Sequence, residues 1–246
     1  MCAALSSYTL EDQERMARAA NYFAWQHRLV TRQLSGRRVI EIGCGIGNFT
    51  GLLLDASEAV IAVDVEPACI DRLKQRFPTR TNLHPFAYDV MDPAFPQLEI
   101  FRADSCVCLN VLEHIEDDRE ALRRMAAVLA PEGVVILIVP AFPSLYGPID
   151  RQLGHHRRYT RASIRKLAEA AGLTVKTSHY LNAIGFFGWW TNAHILKRQA
   201  QSAAQIEVFD SYIVPIASRL EGWIHPPFGQ SMFIVLEKPS KSRNFA

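Results

Sequence analysis

The segment RRVIEIGCGIGNFTGLL, residues 37–53, decides the fold prediction. An apolar run ends there in three glycines at alternate positions, Gly43, Gly45 and Gly47, and a helix-like segment follows. Glycines placed after a strand let the backbone approach a ligand closely and present amides at the start of the next helix. A dinucleotide-binding GxGxxG turn would need a glycine at position 48, which is Asn48. The segment therefore predicts a strand, a ligand-binding turn and a helix, and it disfavours a nicotinamide dinucleotide.

Strand-like and helix-like segments alternate on the C-terminal side of this turn. Apolar runs typical of buried parallel strands include AVIAVDV, DSCVCLNV and GVVILIVP, and the helix-like segments PACIDRLKQRF and DDREALRRMAAVL separate them. This alternation predicts an α/β fold with a doubly wound, mostly parallel sheet of seven strands, in one domain over residues 1–246. Residues 10–35 form an N-terminal helix in this prediction, and residues 37–140 form the ligand-binding core. Ligands of such sheets bind at the carboxyl ends of the strands.

Two segments depart from the alternation. Residues 141–160 are irregular and rich in polar and aromatic side chains, and residues 182–225 form an aromatic insertion before the last strand. We expect both segments to lie on the acceptor side of the site.

Three acidic residues stand at or near predicted strand ends. Glu41 lies at the end of the first strand, where it can face a cationic part of a ligand. Asp64 closes the second strand, where a carboxylate can accept both hydroxyls of a ribose. Asp89 follows the third strand and can accept the exocyclic amine of adenine. Each acid taken alone is also compatible with a solvated strand end.

The motifs EIGCGIG, VDVE, YDVMD and NVLEH occur in this order over residues 39–139. Together they resemble the cofactor motifs of class I S-adenosylmethionine-dependent methyltransferases, and LEH is similar to the ubiquinone-type O-methyltransferase branch. The resemblance implies a Rossmann-like methyltransferase fold and S-adenosylmethionine as cofactor, with S-adenosylhomocysteine as product. It also implies the cofactor contacts: Glu41, Gly43 and Gly45 at the methionine part, Asp64 at the ribose, Asp89 and Val90 at adenine, and Asn110 beneath the sulfonium.

The segment LYGPIDRQLGHHRRY contains the candidates for acceptor chemistry. Its GHxRRY element resembles one found in a subgroup of bacterial small-molecule methyltransferases. Histidine titrates nearest to neutral pH, so we expect His155 to be the general base, oriented by Asp150, with His114 of LEH as the second candidate. Tyr146 is assigned to the acceptor side.

Two arginines of the same element have two interpretations. Arg157 and Arg158 can bind an acidic group of the acceptor, or they can pair with Asp150 and hold the segment in place.

The segment GFFGWW has three interpretations. Trp189 and Trp190 can pack in the core, line an apolar acceptor pocket, or contact a membrane surface beside Lys197 and Arg198.

Composition limits the remaining function classes. A net charge of +2 with 21% charged residues gives no nucleic-acid-binding signature. No metal is expected, because no cluster of acids or histidines has ligand spacing, and the five cysteines form no CxxC pair. Unpaired cysteines and the lack of a signal-peptide pattern predict a reducing, cytoplasmic location. Peripheral membrane contact is the most that the sequence allows.

The sequence thus predicts methyl transfer from S-adenosylmethionine to a small apolar or phenolic acceptor. O-methylation in natural-product, quinone, or lipid or saccharide biosynthesis is the main expectation. N- or C-methylation, a non-catalytic S-adenosylmethionine-binding subunit and a nicotinamide-dependent oxidoreductase are the alternatives. The oligomeric state has no sequence signal.

Overall fold

A computed structural model describes residues 13–196 and 203–239. Its centre is one seven-stranded sheet in the order β3-β2-β1-β4-β5-β7-β6. The strands are β1 (Arg38–Ile42), β2 (Ala59–Asp64), β3 (Leu83–Ala87), β4 (Ala103–Leu109), β5 (Leu129–Pro140), β6 (Thr174–Leu181) and β7 (Ser231–Glu237). Only β7 runs antiparallel to its neighbours β5 and β6, so the predicted doubly wound, mostly parallel sheet is confirmed.

Helices cover both faces of the sheet. They are α1 (Ala20–Thr31), α2 (Thr50–Ala56), α3 (Pro67–Arg76), α4 (Asp118–Ala127), α5 (Pro148–Gln152), α6 (Arg161–Ala170), α7 (Ala183–Trp190), α8 (Ala203–Val208) and α9 (Val214–Leu220). A π-helical segment, Phe209–Ile213, joins α8 to α9, and another, Thr191–Ile195, follows α7. Short 3₁₀ segments lie at Phe95–Phe101, Leu112–His114 and Pro143–Leu145.

Strand β5 shows why both faces are covered. Val135 and Leu137 belong to one core, with helices α4 and α6, whereas Ile136 and Ile138 belong to the other core, with α1, α2 and α9. Successive side chains of a strand point to opposite faces, so a continuous apolar run requires a packed layer on each side.

Local sequence signals explain several helix boundaries. Pro67 occupies the first turn of α3, where its missing N–H is not needed. The Asp117 carboxylate accepts from Glu120 N at the start of α4, and the Thr160 hydroxyl accepts from Ser163 N at the start of α6. Gly172, with φ of +74°, follows α6.

The predicted N-terminal helix over 10–35 is wrong in its extent. In the described part a helical turn covers residues 13–16, residues 17–19 are not helical, and α1 begins at Ala20. The buried Asp210 carboxylate accepts from Asn21 N and Tyr22 N, at 3.1 and 2.8 Å. The first turn of α1 therefore takes its acceptor from a residue far along the chain.

The four described cysteines are buried free thiols. Cys106 and Cys108 of β4 belong to the same core, as their spacing predicts, and burial raises the pKa of Cys106 to about 12. The fifth, Cys2, lies outside the described residues.

We expect Gly47→Ala to destabilise the protein more than Gly172→Ala. Both glycines have positive φ, but a Cβ at Gly47 would lie 2.5 Å from Leu73 Cδ1 and 2.8 Å from Phe77 Cε2, whereas a Cβ at Gly172 meets nothing within 4 Å. Backbone strain should cost about 1 kcal/mol in each variant, and overpacking about 1–3 kcal/mol more at Gly47. Denaturant unfolding measures the difference. Equal losses of unfolding free energy would show that Leu73 and Phe77 move aside for the added methyl group at little cost.

Candidate functional site

The turn after β1 is held to the end of β2 by a carboxylate. Gly45 N donates to Asp64 Oδ2 at 2.8 Å, and Glu66 N donates to Asp64 Oδ1 at 2.9 Å. Burial raises the pKa of Asp64, and these two hydrogen bonds oppose that rise. Each carboxylate oxygen keeps acceptor capacity, so Asp64 can position the turn and still accept hydroxyl groups.

Glu41 lies buried beneath the same turn. Its Oε2 accepts a hydrogen bond from the Thr50 hydroxyl at 2.6 Å, at the start of α2. Burial raises the pKa of Glu41 to about 8, and the nearby charge of Asp64 adds to the rise. A cationic group next to this carboxyl would favour its ionised form.

The remaining predicted cofactor residues follow neighbouring strands at the same edge of the sheet. Asp89, two residues beyond β3, is exposed and accepts from Met91 N at 2.8 Å, and the next residue, Val90, is buried in the core. Asn110 follows β4 with φ of +54°, and its N–H donates to Ile138 O. The structure thus brings the ends of β1 to β4 together, as the sequence predicts.

Sequence reasoning did not identify Gln13 as part of this edge. Ile46 N donates to Gln13 Oε1 at 2.8 Å, and Asn48 Nδ2 donates to the Gln13 carbonyl at 2.9 Å. A Cβ at Gly45 would collide with Gln13 Oε1, and a Cβ at Gly43 would collide with Val111 Cγ2. The turn therefore accepts no side chain at either glycine.

These observations fit a nucleoside with a cationic end. Glycine backbone, a carboxylate with free acceptor capacity and a buried carboxyl lie at one strand edge, and an exposed acid lies beyond the neighbouring strand. The chemistry matches that of the ribose, the amino group and the adenine amine.

A second group of side chains gathers around Asp150, on the segment after β5. Its fully buried carboxylate contacts a ring nitrogen of His155 at 2.9 Å and accepts from Arg158 Nε at 2.8 Å and from Gly147 N at 2.9 Å. Burial alone would raise the pKa of Asp150. The hydrogen bond from His155 and the charge of Arg158 outweigh burial and lower the pKa.

Of the two arginines, only Arg158 makes the predicted pair with Asp150, and Arg157 pairs with Asp118 instead. Arg158 is buried, donates to Ala141 O at 3.1 Å, and lies 4.8 Å from the ring centre of Trp189. Arg157 is partly exposed, donates to Glu116 O and pairs with Asp118 at 2.8 Å. The segment over residues 141–160 is therefore tied down at both arginines.

His155 lies between two carboxyl groups. Its Nδ1 faces Asp150, and its Nε2 lies 4.0 Å from Oε1 of Glu113. The Tyr146 hydroxyl donates to the His155 carbonyl at 2.8 Å. With Nδ1 donating to Asp150, Nε2 is left as the acceptor nitrogen.

Glu113, the central residue of LEH, was not among the predicted site residues. It is fully buried, and neither carboxylate oxygen has a hydrogen-bond partner in the described part of the chain. Burial raises the pKa of Glu113 to about 8, although the charge of Arg158 opposes the rise. A buried carboxyl without a partner is rare, and this one lies 4.0 Å from His155 Nε2.

Glu113, His114 and His155 each place one ligand atom within 4.8 Å of the other two. Two imidazoles and a carboxylate suit a borderline divalent cation, so the residues could hold one. Ligand spacing in the sequence did not indicate this cluster, because His155 lies on a different loop from Glu113 and His114. His114 is exposed at its surface, but desolvation of its ring and the neighbouring histidines lower its pKa to about 4.

Tyr22 of α1 is another residue that the sequence did not indicate. Its hydroxyl lies close to Gln26 and to Ser231 at the start of β7, and these contacts oppose the rise of its pKa to about 12 that burial causes. The N-terminal helix thus reaches the carboxyl end of β5, where β7 begins.

The two tryptophans of GFFGWW have different environments. Trp189 packs against Leu145 and Ile149, and its buried indole N–H has no partner among the described residues. Trp190 is half-exposed and contacts His194. Only Trp189 of the pair thus lies beside the Asp150 group.

Comparisons with known proteins identify the family of this chain. A family model described as a methyltransferase domain matches residues 12–178, more than half of the chain. A probable S-adenosylmethionine-dependent methyltransferase of Mycolicibacterium smegmatis is 28% identical over 162 residues, 63% of this chain and 61% of that protein. The ubiquinone biosynthesis O-methyltransferase of Coxiella burnetii is 28% identical over 101 residues, 41% of this chain and 42% of that protein. The chain therefore spans less than two thirds of the length of these relatives.

Among solved structures, the N-methyltransferase NodS from Bradyrhizobium japonicum in complex with S-adenosyl-L-homocysteine has the same fold. The TM-score is 0.54 at 20% identity, over 89% of this chain and 88% of that chain. Because the family model covers most of the sheet and both groups of site residues, the chain belongs to the class I S-adenosylmethionine-dependent methyltransferases.

Proposed function

We propose that this protein transfers a methyl group from S-adenosylmethionine to a hydroxyl group of a small apolar or phenolic acceptor. The observation that carries the proposal is the ring of His155, held by Asp150 and directed at the unpartnered carboxyl of Glu113. Family membership argues against a nicotinamide-dependent oxidoreductase. N- or C-methylation and a non-catalytic binding subunit are the competing proposals, and O- and N-methyltransferases both occur among the proteins compared above.

The cofactor supplies a methyl group on a sulfonium, which is transferred by in-line displacement. The Asp64 carboxylate accepts the ribose hydroxyls, and Asp89 with Val90 contacts adenine. Glu41 becomes ionised opposite the amino group, and the turn at Gly43 and Gly45 leaves space for the methionine part. Asn110 contributes polar backbone at the end of β4.

A proton acceptor is the reason for preferring a hydroxyl. A phenol is mostly protonated at neutral pH and must lose a proton as its oxygen attacks, whereas a neutral amine attacks through its lone pair. His155 Nε2 takes that proton, and Asp150 stabilises the imidazolium through Nδ1. His114 suits this role less, because its pKa is lowered to about 4.

The acceptor pocket is apolar in this proposal. Phe142 stacks on Tyr180 with ring centres 4.9 Å apart and meets Phe186 edge-on, and Trp189 packs alongside this group. The unpartnered indole N–H of Trp189 is a donor for a polar atom of the acceptor. Tyr146 supports the pocket through the His155 carbonyl.

Substitution of Asp64 should weaken S-adenosylhomocysteine binding. Loss of hydrogen bonds between a buried carboxylate and two hydroxyls should cost about 2 kcal/mol, so Asp64→Ala should raise Kd about 30-fold. The exposed Asp89 faces one amine, so Asp89→Ala should raise Kd less. Calorimetry measures both values, with denaturant unfolding as the check that each variant is folded. Unchanged affinity in folded Asp64→Ala would contradict the ribose role.

Substitution of Arg158 should reduce stability and leave the cofactor site intact. Arg158→Ala leaves a buried carboxylate without its cation, which should cost about 3–5 kcal/mol of unfolding free energy. The matched variant Arg157→Ala breaks a partly exposed pair and should cost about 0.2–1 kcal/mol. Denaturant unfolding and S-adenosylhomocysteine calorimetry measure both effects. Unchanged stability in Arg158→Ala would favour the acceptor-binding role.

Replacement of His155 tests the proposed proton acceptor. S-adenosylhomocysteine formation is measured with a panel of phenols, catechols and amines, from pH 6 to pH 9, with and without EDTA. His155→Gln should lose about 100-fold or more in kcat near neutral pH and regain part of it as the phenol ionises, with cofactor affinity unchanged.

Two outcomes would contradict this role. Full turnover by His155→Gln at neutral pH would mean that proximity alone carries the reaction. Turnover by the wild type that EDTA abolishes and Mn²⁺ or Zn²⁺ restores would instead assign Glu113, His114 and His155 to a metal ion. Turnover of amines but of no hydroxyl compound would overturn O-methylation.

A further inference from the structure

A row of large apolar side chains is exposed along the helices before β7. Val208, Tyr212, Ile216 and Leu220 recur every four residues, and each is more than half exposed. Two further exposed residues, Trp223 and Ile224, follow the end of α9, and Trp223 is 91% exposed. We call these six residues the apolar stripe. A contiguous exposed apolar surface of this kind usually marks a protein or membrane interaction site.

The stripe is exposed because the opposite side of the same helices is already packed. Val214 and Ala217 are buried in the core that also contains Trp25 and Val30 of α1. Asp210 fixes this packing through its hydrogen bonds to the first turn of α1. The helices cannot rotate to bury the stripe without breaking these contacts.

Three arginines lie beside the stripe. A cleft of about 410 Å³ between α1 and α9 is lined by Arg28, Arg32, Arg219 and Trp223. All three arginines are exposed, and none has an ion-pair partner in the part of the chain that the structure describes. Unpaired guanidinium groups next to apolar side chains are suited to phosphate groups above hydrocarbon.

The acidic residues of the same segment form no ion pair with these arginines in the described part of the chain. Asp210 is buried against α1, and the Glu221 carboxylate accepts from Asn182 N and Ala183 N at 2.8 and 2.9 Å. Glu207, at the far end of the stripe, is exposed. The hydrogen bonds of Glu221 also bring the start of α7 to the end of α9, and α7 exposes the further apolar side chain Phe187.

We propose that this face binds peripherally to an anionic membrane surface. The apolar stripe lies in the headgroup region, and Arg28, Arg32 and Arg219 contact lipid phosphates. No helix among the described residues has the length and apolar character needed to cross a bilayer. A helix with one apolar face and adjacent basic residues can instead lie in the plane of the membrane interface, with the apolar face in the headgroup region.

A second copy of the chain is a poorer occupant. A two-fold interface pairs each surface patch with itself, so two copies docked through the stripe would bring two sets of arginines together. Like charges at such an interface oppose association. Lys197 and Arg198, the basic residues that the sequence associated with membrane contact, lie outside the described residues.

Vesicle co-sedimentation of the full chain tests the proposal. The probes are phosphatidylcholine vesicles with and without about 30 mol % phosphatidylglycerol. We expect binding to the anionic vesicles that weakens with salt, and little binding to the neutral ones. The triple variant Arg28→Ala, Arg32→Ala, Arg219→Ala should lose about 100-fold in partitioning, at about 1 kcal/mol for each arginine. The double variant Leu220→Ser, Trp223→Ser should lose about tenfold or more.

Matched controls separate the surface from net charge and general hydrophobicity. The variant Arg37→Ala, Arg72→Ala, Arg80→Ala removes the same charge from ion-paired surface positions and should bind as the wild type does. Ile100→Ser removes an 81% exposed apolar side chain from the 3₁₀ segment before β4 and should also bind normally. S-adenosylhomocysteine affinity should be unchanged in every variant.

Three results would overturn the proposal: no binding to anionic vesicles, equal binding to both vesicle types, or equal loss in the control variants. Sedimentation velocity tests for a dimer. If the protein does not bind vesicles but forms a concentration-dependent dimer that Leu220→Ser, Trp223→Ser abolishes, the face binds a second copy of the chain. The readout is independent of methyl transfer, so failure of the proposed reaction leaves this test unaffected.

Discussion

The Asp150 carboxylate is the contact on which the segment after β5 depends. It is fully buried and joins His155, Arg158 and the start of α5 at Gly147. A buried charge is tolerated only when it is paired and fully hydrogen-bonded, so these three partners are held in one arrangement. Arg158 in turn contacts Ala141 O and Trp189. Asp150 is thereby linked, through Arg158, to the first residue after β5 and to helix α7.

Glu113 is the opposite case in the same region. It is equally buried, but no described residue satisfies its oxygens, and its pKa is raised to about 8. Such a group is costly unless a ligand, a proton or a cation completes it. His155 thus lies between two carboxyl groups of different kinds. Asp150 has hydrogen-bond partners, and Glu113 has none among the described residues. In a purely structural ion-pair network, both carboxyl groups would have partners.

The cofactor side is built in a different way, from strand ends. Parallel strands deliver Glu41, Asp64 and Asn110 to one edge, and hydrogen bonds from Gly45 and Glu66 fix the Asp64 carboxylate there. The N-terminal segment then packs across both sides of the site: Gln13 contacts the glycine turn, and Tyr22 reaches Ser231. Asp210 holds α1 in this position, so the segment that carries the apolar stripe also orders the N-terminal helix over the site.

Local sequence patterns were enough to predict the sheet, the glycine turn and the acids at the strand ends, because these depend on local periodicity and on backbone conformations that few residues adopt. The spacing in the sequence also predicted the contact between Asp150 and His155. Long-range packing, which no local pattern reports, sets Glu113 opposite His155, brings Asp210 to the first turn of α1, and leaves the stripe from Val208 to Ile224 exposed. Apolar residues spaced three or four positions apart form one face of an amphipathic helix, which has about 3.6 residues per turn. This sequence pattern is the same whether the apolar face is buried or exposed. Which face is covered depends on long-range packing, here on Asp210, Val214 and Ala217 against α1.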